Sequence, residues 1–202
     1  LKTILFIFLS PLLGFLLSML IGIAVFNICR PFNPYKVDHW FRKGQLLSAA
    51  AYSLGHGGND AQKTMGVMMM ALAIGFPELY KGEAGKFAEI PLWVILSAHL
   101  AIGLGTLSGG WKIVKTMGHK IFKLEPVHGF ASETSAALVI SGASLLGAPI
   151  STTHTITTSI MGVGAAKRSN AIQWSLVEQI VWAWVMTIPA TGILGWVIYK
   201  FC

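Results

Sequence analysis

The chain has 202 residues, 54% of them hydrophobic and only 11% charged, with a mean hydropathy of +0.65. Soluble domains carry about a quarter of their residues as charged side chains, so the composition excludes an ordinary soluble domain and indicates an integral membrane protein. The net charge of +7 does not indicate nucleic-acid binding, because the basic residues sit in short loops beside apolar runs and not on one solvent-facing surface.

In chain order, residues 3–29, 90–111, 134–166 and 179–199 contain no Asp, Glu, Lys or Arg. Each run is long enough to cross a hydrocarbon core of about 30 Å at 1.5 Å per residue. Residues 1–29 read as a first span. Their apolar stretch is longer than a signal-peptide core, and Phe26-Asn-Ile-Cys-Arg30 stands where small cleavage-site residues would fall. Hydrophobic sequence beginning at once from Leu1, and an equally abrupt end at Tyr199-Lys-Phe-Cys202, give the expectation that residues 1–202 are a membrane transport domain taken from a longer chain. Cys29 and Cys202 have no Cys or His at metal-ligand spacing and read as small apolar side chains near membrane ends.

Arg30, Lys36, Arg42 and Lys43 follow the first span, and Lys112, Lys115, Lys120 and Lys123 follow the run 90–111, which places both loops on the cytoplasmic side. The loop 77–89 is mixed in sign and suits the outer side. Residues 44–76 then cross once, as a helical segment expected to be interrupted at Gly55, Gly57 and Gly58. Residues 90–111 are a span. Residues 111–123 are expected to be a short interfacial amphipathic helix, with Ile113, Val114, Met117, Ile121 and Phe122 between basic positions and Trp111 at the headgroups.

The run 127–166 is broken at Ala148-Pro-Ile-Ser-Thr-Thr153 and ends in Lys167-Arg168. A re-entrant helical hairpin with its tip at Pro149, open toward the cytoplasm, fits both facts; a broken span with a basic outer loop is the alternative. Residues 174–200 form the last span, bounded by Glu178. Most tryptophans lie near span ends, and Trp182 and Trp184, which do not, read as packing residues. The expected class is an all-α polytopic membrane protein.

An acid in the bilayer costs about 2.5 to 3.5 kcal/mol on insertion scales, so Asp60 calls for a pore, a partner or a ligand. Asn59 and Asp60 are placed at the start of a resuming helix, where they either cap free N–H groups or offer hard oxygen ligands to Na⁺. Gln62, Lys63 and Thr64 add more polarity than a cap requires, and Lys63 either pairs Asp60 or faces an anion. At the second break, the hydroxyls of Ser151, Thr152 and Thr153 and the free N–H groups of the following helix make an anion site. The hydroxyls continuing to Ser159, with Gly162 and Gly164, alternatively serve helix packing. Glu133 reads either as a coupling carboxylate or as a first-turn helix charge, and His154 either contacts the anion or makes a structural hydrogen bond. His39, His99, His119 and His128 have no metal-ligand spacing.

Gly55-His-Gly-Gly-Asn-Asp-Ala-Gln-Lys-Thr-Met-Gly66 and Ile150-Ser-Thr-Thr-His-Thr-Ile-Thr-Thr-Ser-Ile-Met-Gly-Val-Gly164, joined by Gly129-Phe-Ala-Ser-Glu-Thr-Ser135, resemble the second half of an inorganic phosphate transporter of the PiT family, over most of residues 40–200. The resemblance implies one half of an inverted-repeat transporter with interrupted helices, and secondary transport of phosphate coupled to H⁺ or Na⁺. It carries phosphate contact to Ser151, Thr152 and Thr153 and cation contact to Asn59 and Asp60, with Gln62 nearby. A single Gly-x-Asn-Asp signature is present, so the N-terminal half of the same chain is expected to supply the other. The expected partners are phosphate, the coupling cation and the lipid bilayer of a bacterial inner membrane, with a homodimer as a further expectation. No enzyme chemistry and no cofactor other than a bound Na⁺ are expected. An ion channel or a non-transporting membrane subunit remains the alternative.

Overall fold

The computed structural model describes residues 2–80, 89–121, 123–168 and 172–201. Helix α1 (Lys2–Cys29) is followed by α2 (Pro34–Gly75), the single turn α3 (Pro77–Tyr80), α4 (Leu92–Lys115), α5 (Pro126–Leu145), α6 (Thr152–Lys167) and α7 (Trp174–Phe201). Among the described residues, three stretches are long and apolar enough to cross a membrane: Thr3–Cys29, Leu92–Trp111 and Trp174–Phe201. The first two match the charge-free runs to within two residues, and the third begins five residues earlier than its run because it includes Glu178. Leucines stand exposed on all three, joined by isoleucines on the first and third and by tryptophans on the second and third, as lipid-facing or partner-facing helices require.

The core of the fold is the pair α5 and α6, held between α1 and α2. Helices α2 and α5 run parallel and in register. Ser48 donates to Glu133 and Asn59 donates to Ser144, and both pairs are 85 residues apart in sequence. Helices α1 and α6 are also parallel and approach closely through small residues. Ser159 Oγ donates to the Gly14 carbonyl at 3.2 Å, and a side chain at Gly162 would collide with Ser18 Oγ and the Phe15 carbonyl. The packing alternative for the hydroxyl-rich helix therefore holds beyond its first three residues, where Thr155, Thr157 and Ser159 are buried.

The helical hairpin expected over 127–166 is present as α5, a break and α6. Its break is chemically well specified. Gly147 takes φ 64°, its N–H donates to the Ser144 carbonyl at 3.0 Å, and Ala148 N–H donates to the Ala143 carbonyl at 2.9 Å. This is a Schellman termination, with Pro149 preventing the helix from resuming. Ser151 then caps α6 by accepting from His154 N–H at 3.3 Å. At the other end Lys167 Nζ donates to Glu125 Oε2 at 3.3 Å, so the two arms return to one place. That place lies beside the end of α1, where Phe26 and His128 meet edge to face at 5.5 Å.

Two expectations need correction. Residues 44–76 are not an interrupted segment: α2 runs unbroken from Pro34 to Gly75, a helix of 42 residues or about 63 Å. It begins ten residues earlier than expected, with Asn33 Oδ1 accepting from Tyr35 N–H at 2.9 Å, so Lys36, Arg42 and Lys43 belong to the helix and not to a loop. Each helical glycine costs about 1 kcal/mol relative to Ala but does not forbid helical angles. Packing decides the outcome, since Gly55 sits against Ile140 and Ser141 of α5.

Residues 111–123 do not form a separate interfacial helix either. Helix α4 continues past Gly109 and Gly110 through Trp111 to Lys115 and passes into a wide π-helical turn at Thr116–Ile121. Ile121 is fully buried with Ile160, Ile172 and Val177, so this end docks onto protein. Trp111 is exposed, as an interfacial residue would be. The side chains of Lys112, Ile113 and His119, together with Phe122, Cys202 and the loop charges Lys81, Glu83 and Lys86, lie outside what the structure describes.

Candidate functional site at the hairpin tip

The middle of α2 meets the break between α5 and α6. A continuous helix offers no free N–H groups at Asn59 and Asp60, so neither residue is an N-cap and the helix dipole does not stabilise Asp60. Side chains one turn away on α2 and one from the start of α6 surround it instead. Lys63 Nζ donates to Asp60 Oδ1 at 2.8 Å, and Thr152 Oγ1 donates to Asp60 Oδ2 at 3.2 Å, with His56 Nε2 lying 3.7 Å from the same oxygen. Lys63 also donates to the Ile150 carbonyl at 2.6 Å, satisfying a backbone oxygen that the break exposes.

Asn59 is 4% exposed. Its Nδ2 donates to Ser144 Oγ at 3.1 Å, while its Oδ1 is buried without a hydrogen-bond partner. A buried amide oxygen left this way costs about 1 to 3 kcal/mol and is a place where a cation or a donor would be stabilised.

Two cavities adjoin these groups. One, of about 190 Å³, is lined by Asn59, Gln62, Lys63, Ser144 and the turn 147–149. The other, of about 360 Å³, is lined by Asp60, Lys63, residues 149–153 and Thr3. Lys63 lies in the wall of both. The second cavity receives the start of α6, whose first intrahelical bond is from Thr155 N–H to the Ser151 carbonyl, so the N–H groups of Thr152 and Thr153 precede the helical ladder. Together these groups can hold an oxyanion by hydroxyl and N–H donors while an ammonium balances charge.

Of the residues singled out from sequence, Asn59, Asp60, Gln62, Lys63, Ser151, Thr152 and Thr153 converge here. Thr64 does not: its hydroxyl turns back to the Asp60 carbonyl at 3.4 Å, and it lines neither cavity. His154 presents its ring to Trp184, with centroids 3.8 Å apart, so Trp184 packs against a site residue. Glu133 is in the middle of α5, not in its first turn. It accepts from Ser48 Oγ at 2.6 Å and from Gln45 Nε2 at 3.5 Å. It borders a separate cavity of about 360 Å³ with Tyr52 and Ser132, roughly 16 Å along α5 from Ser144.

Ser144, the Ile150 carbonyl and His56 were missed. Ser144 lies one turn before Gly147 and was within reach of a reading that searched both sides of the break; a backbone carbonyl leaves no mark in a sequence. Among the described residues no cluster of His, Cys, Asp and Glu is suited to a transition metal.

The model of the phosphate transporter family matches residues 30–195. The chain is 47% identical over 199 residues to a probable low-affinity inorganic phosphate transporter of Rhizobium meliloti, covering 98% of this chain and 58% of that one. It is 39% identical over 191 residues to a protein of the same description from Bacillus subtilis, covering 95% and 56%. The chain thus spans little more than half the length of these curated relatives. Among solved structures it resembles one titled the sodium-dependent phosphate transporter, with a TM-score of 0.67 and 23% identity over 93% of this chain and 54% of that one. That likeness establishes the all-α membrane fold, in which the helix interruption lies between α5 and α6.

Proposed function

This chain belongs to the phosphate transporter family, and from that premise we propose that it forms one half of a multi-pass secondary transporter moving inorganic phosphate together with a cation. The observation that carries the reading is the meeting, at one hairpin tip, of Asp60 and Lys63 with Ser151, Thr152 and Thr153, two groups about ninety residues apart in sequence.

Phosphate enters the cavity beside Thr152 and Thr153, where N–H groups and hydroxyls replace its hydration. Asn59 and Asp60 form the cation side: the unpartnered Asn59 Oδ1 is an oxygen ligand for the coupling cation, and Asp60 holds the Lys63 ammonium. Positive charge is required because desolvating a multiply charged anion without compensation is prohibitive. Lys63 orients the anion from the facing wall, and Gln62 lines the adjoining cavity that Lys63 shares. The hairpin opens toward the cytoplasm, and its rocking against α1 and α2 alternates access. A second, related membrane half completes the cage. The curated relatives are described as low-affinity phosphate transporters, which supports the substrate; sodium dependence is stated only of the solved structure, and H⁺ remains the other driving ion. No covalent step is involved.

The test is phosphate uptake by the complete transporter in proteoliposomes under an imposed Na⁺ or H⁺ gradient. Uptake against a phosphate gradient under one of them supports the reading and names the ion. Absence of uptake from correctly inserted protein overturns it, and flux without coupling would indicate a channel.

A further inference from the structure

Each oxygen of the Asp60 carboxylate has a side-chain partner. Oδ1 is bonded to Lys63 Nζ at 2.8 Å; Oδ2 accepts from Thr152 Oγ1 at 3.2 Å and lies 3.7 Å from His56 Nε2. Lys63 Nζ has a second acceptor, the Ile150 carbonyl, at 2.6 Å. A carboxylate oxygen and a backbone carbonyl at a helix break are the ligands that a small monovalent cation takes inside a membrane protein. Here an ammonium from the same helix, one turn after the carboxylate, occupies both.

We propose that Lys63 is a tethered cation: its ammonium fills the seat between Asp60 and the Ile150 carbonyl and keeps a free monovalent cation out of it. This rests on the phosphate-transport reading and assigns one of its charges. An ammonium has three donors. Two are used on Asp60 and Ile150, and the third serves an anion in the cavities that Lys63 lines. The positive charge facing phosphate at this point therefore stays with the protein through the cycle. It also bridges α2 to the tip of the hairpin, so it joins the two parts whose relative movement would open the site. The coupling ion is left with Asn59 Oδ1, the buried acceptor that no side chain answers.

The test compares wild type, Lys63→Met, Lys63→Arg and the double variant Lys63→Met with Asp60→Asn in the complete transporter, reading bound ²²Na⁺ per chain and, separately, phosphate uptake. Lys63→Met keeps the long apolar stem and removes the charge. It is expected to bind one more Na⁺ than wild type, and its uptake is expected to rise about tenfold between sodium-free and sodium-rich buffer. Lys63→Arg is expected to bind no additional Na⁺, and the double variant is expected to lose the added site. A monodisperse Lys63→Met protein with wild-type Na⁺ stoichiometry overturns the proposal, as does an added Na⁺ that survives loss of the Asp60 carboxylate. Should Lys63→Met fail to insert, Lys63→Gln is scored in the same way. Wild type that takes up no phosphate would count against the transport reading, while the Na⁺ stoichiometries would still decide the role of Lys63.

Discussion

Helix α2 carries two polar sites one above the other, and their carboxylates are treated in opposite ways. Asp60 is answered by an ammonium, a hydroxyl and an imidazole, and it sits where a broken hairpin leaves backbone groups free. Glu133, roughly 16 Å away, lies between continuous helices and is answered by the neutral donors Ser48 and Gln45. A half-buried charge with a built-in counter-charge is a fixed element of a site. One with only dipoles around it has to find its compensation in a proton or cation from outside. The Asp60 charge at the tip is thus held within the protein, whereas Glu133 has neutral partners alone among its hydrogen bonds.

Four changes break or sharpen that contrast. Asp60→Asn strands Lys63 beside the hairpin carbonyl; phosphate uptake is expected to fall on the order of a hundredfold, with a lower melting temperature in detergent. Equal uptake and melting in wild type and variant would remove Asp60 from the site. Glu133→Gln keeps the shape and relieves an uncompensated charge, so the protein should melt at the same temperature or higher while uptake drops roughly tenfold. A loss of stability like that of Asp60→Asn would collapse the distinction.

Thr152→Val is isosteric and removes the donor to Asp60 Oδ2. It is expected to raise the phosphate KM by a factor of about ten or more, the lower end of the scale for one hydrogen bond to a charged group, with little change in melting. An unchanged KM would place the anion elsewhere. Gly147→Ala forces a side chain into φ 64°, and is expected to cost about 1 kcal/mol of stability, with uptake near wild type at low temperature. No destabilisation would mean that the break relaxes without a left-handed residue.

The sites were legible to different degrees for a physical reason. Both halves of the tip stand out locally, as Asn59-Asp60 in an apolar chain and as Ser151-Thr152-Thr153 after Pro149, because polarity inside a membrane is costly wherever it lies. The neighbours of Glu133 do not stand out. Gln45 and Ser48 are ordinary polar residues on a helix, and their meaning comes from a register that sets α2 against α5 with an offset of 85 residues. The three glycines at 55, 57 and 58 misled for the converse reason. Their local signal is real but small, and packing along the whole of α2 outweighs it.

The sequence by itself determined the all-α membrane class, the charge-free runs 3–29, 90–111 and 179–199 that lie in three long apolar helices, and the helix break at Pro149. These follow from transfer free energy and backbone chemistry, which act residue by residue. Tertiary structure alone decided that α2 is unbroken, that Lys63 reaches both Asp60 and the Ile150 carbonyl, that Thr64 and Glu133 lie off the tip, and that Asn59 keeps an unanswered oxygen. Each of those depends on which surfaces meet between segments far apart in the chain, and the energy of such meetings is carried by pairs, not by single residues.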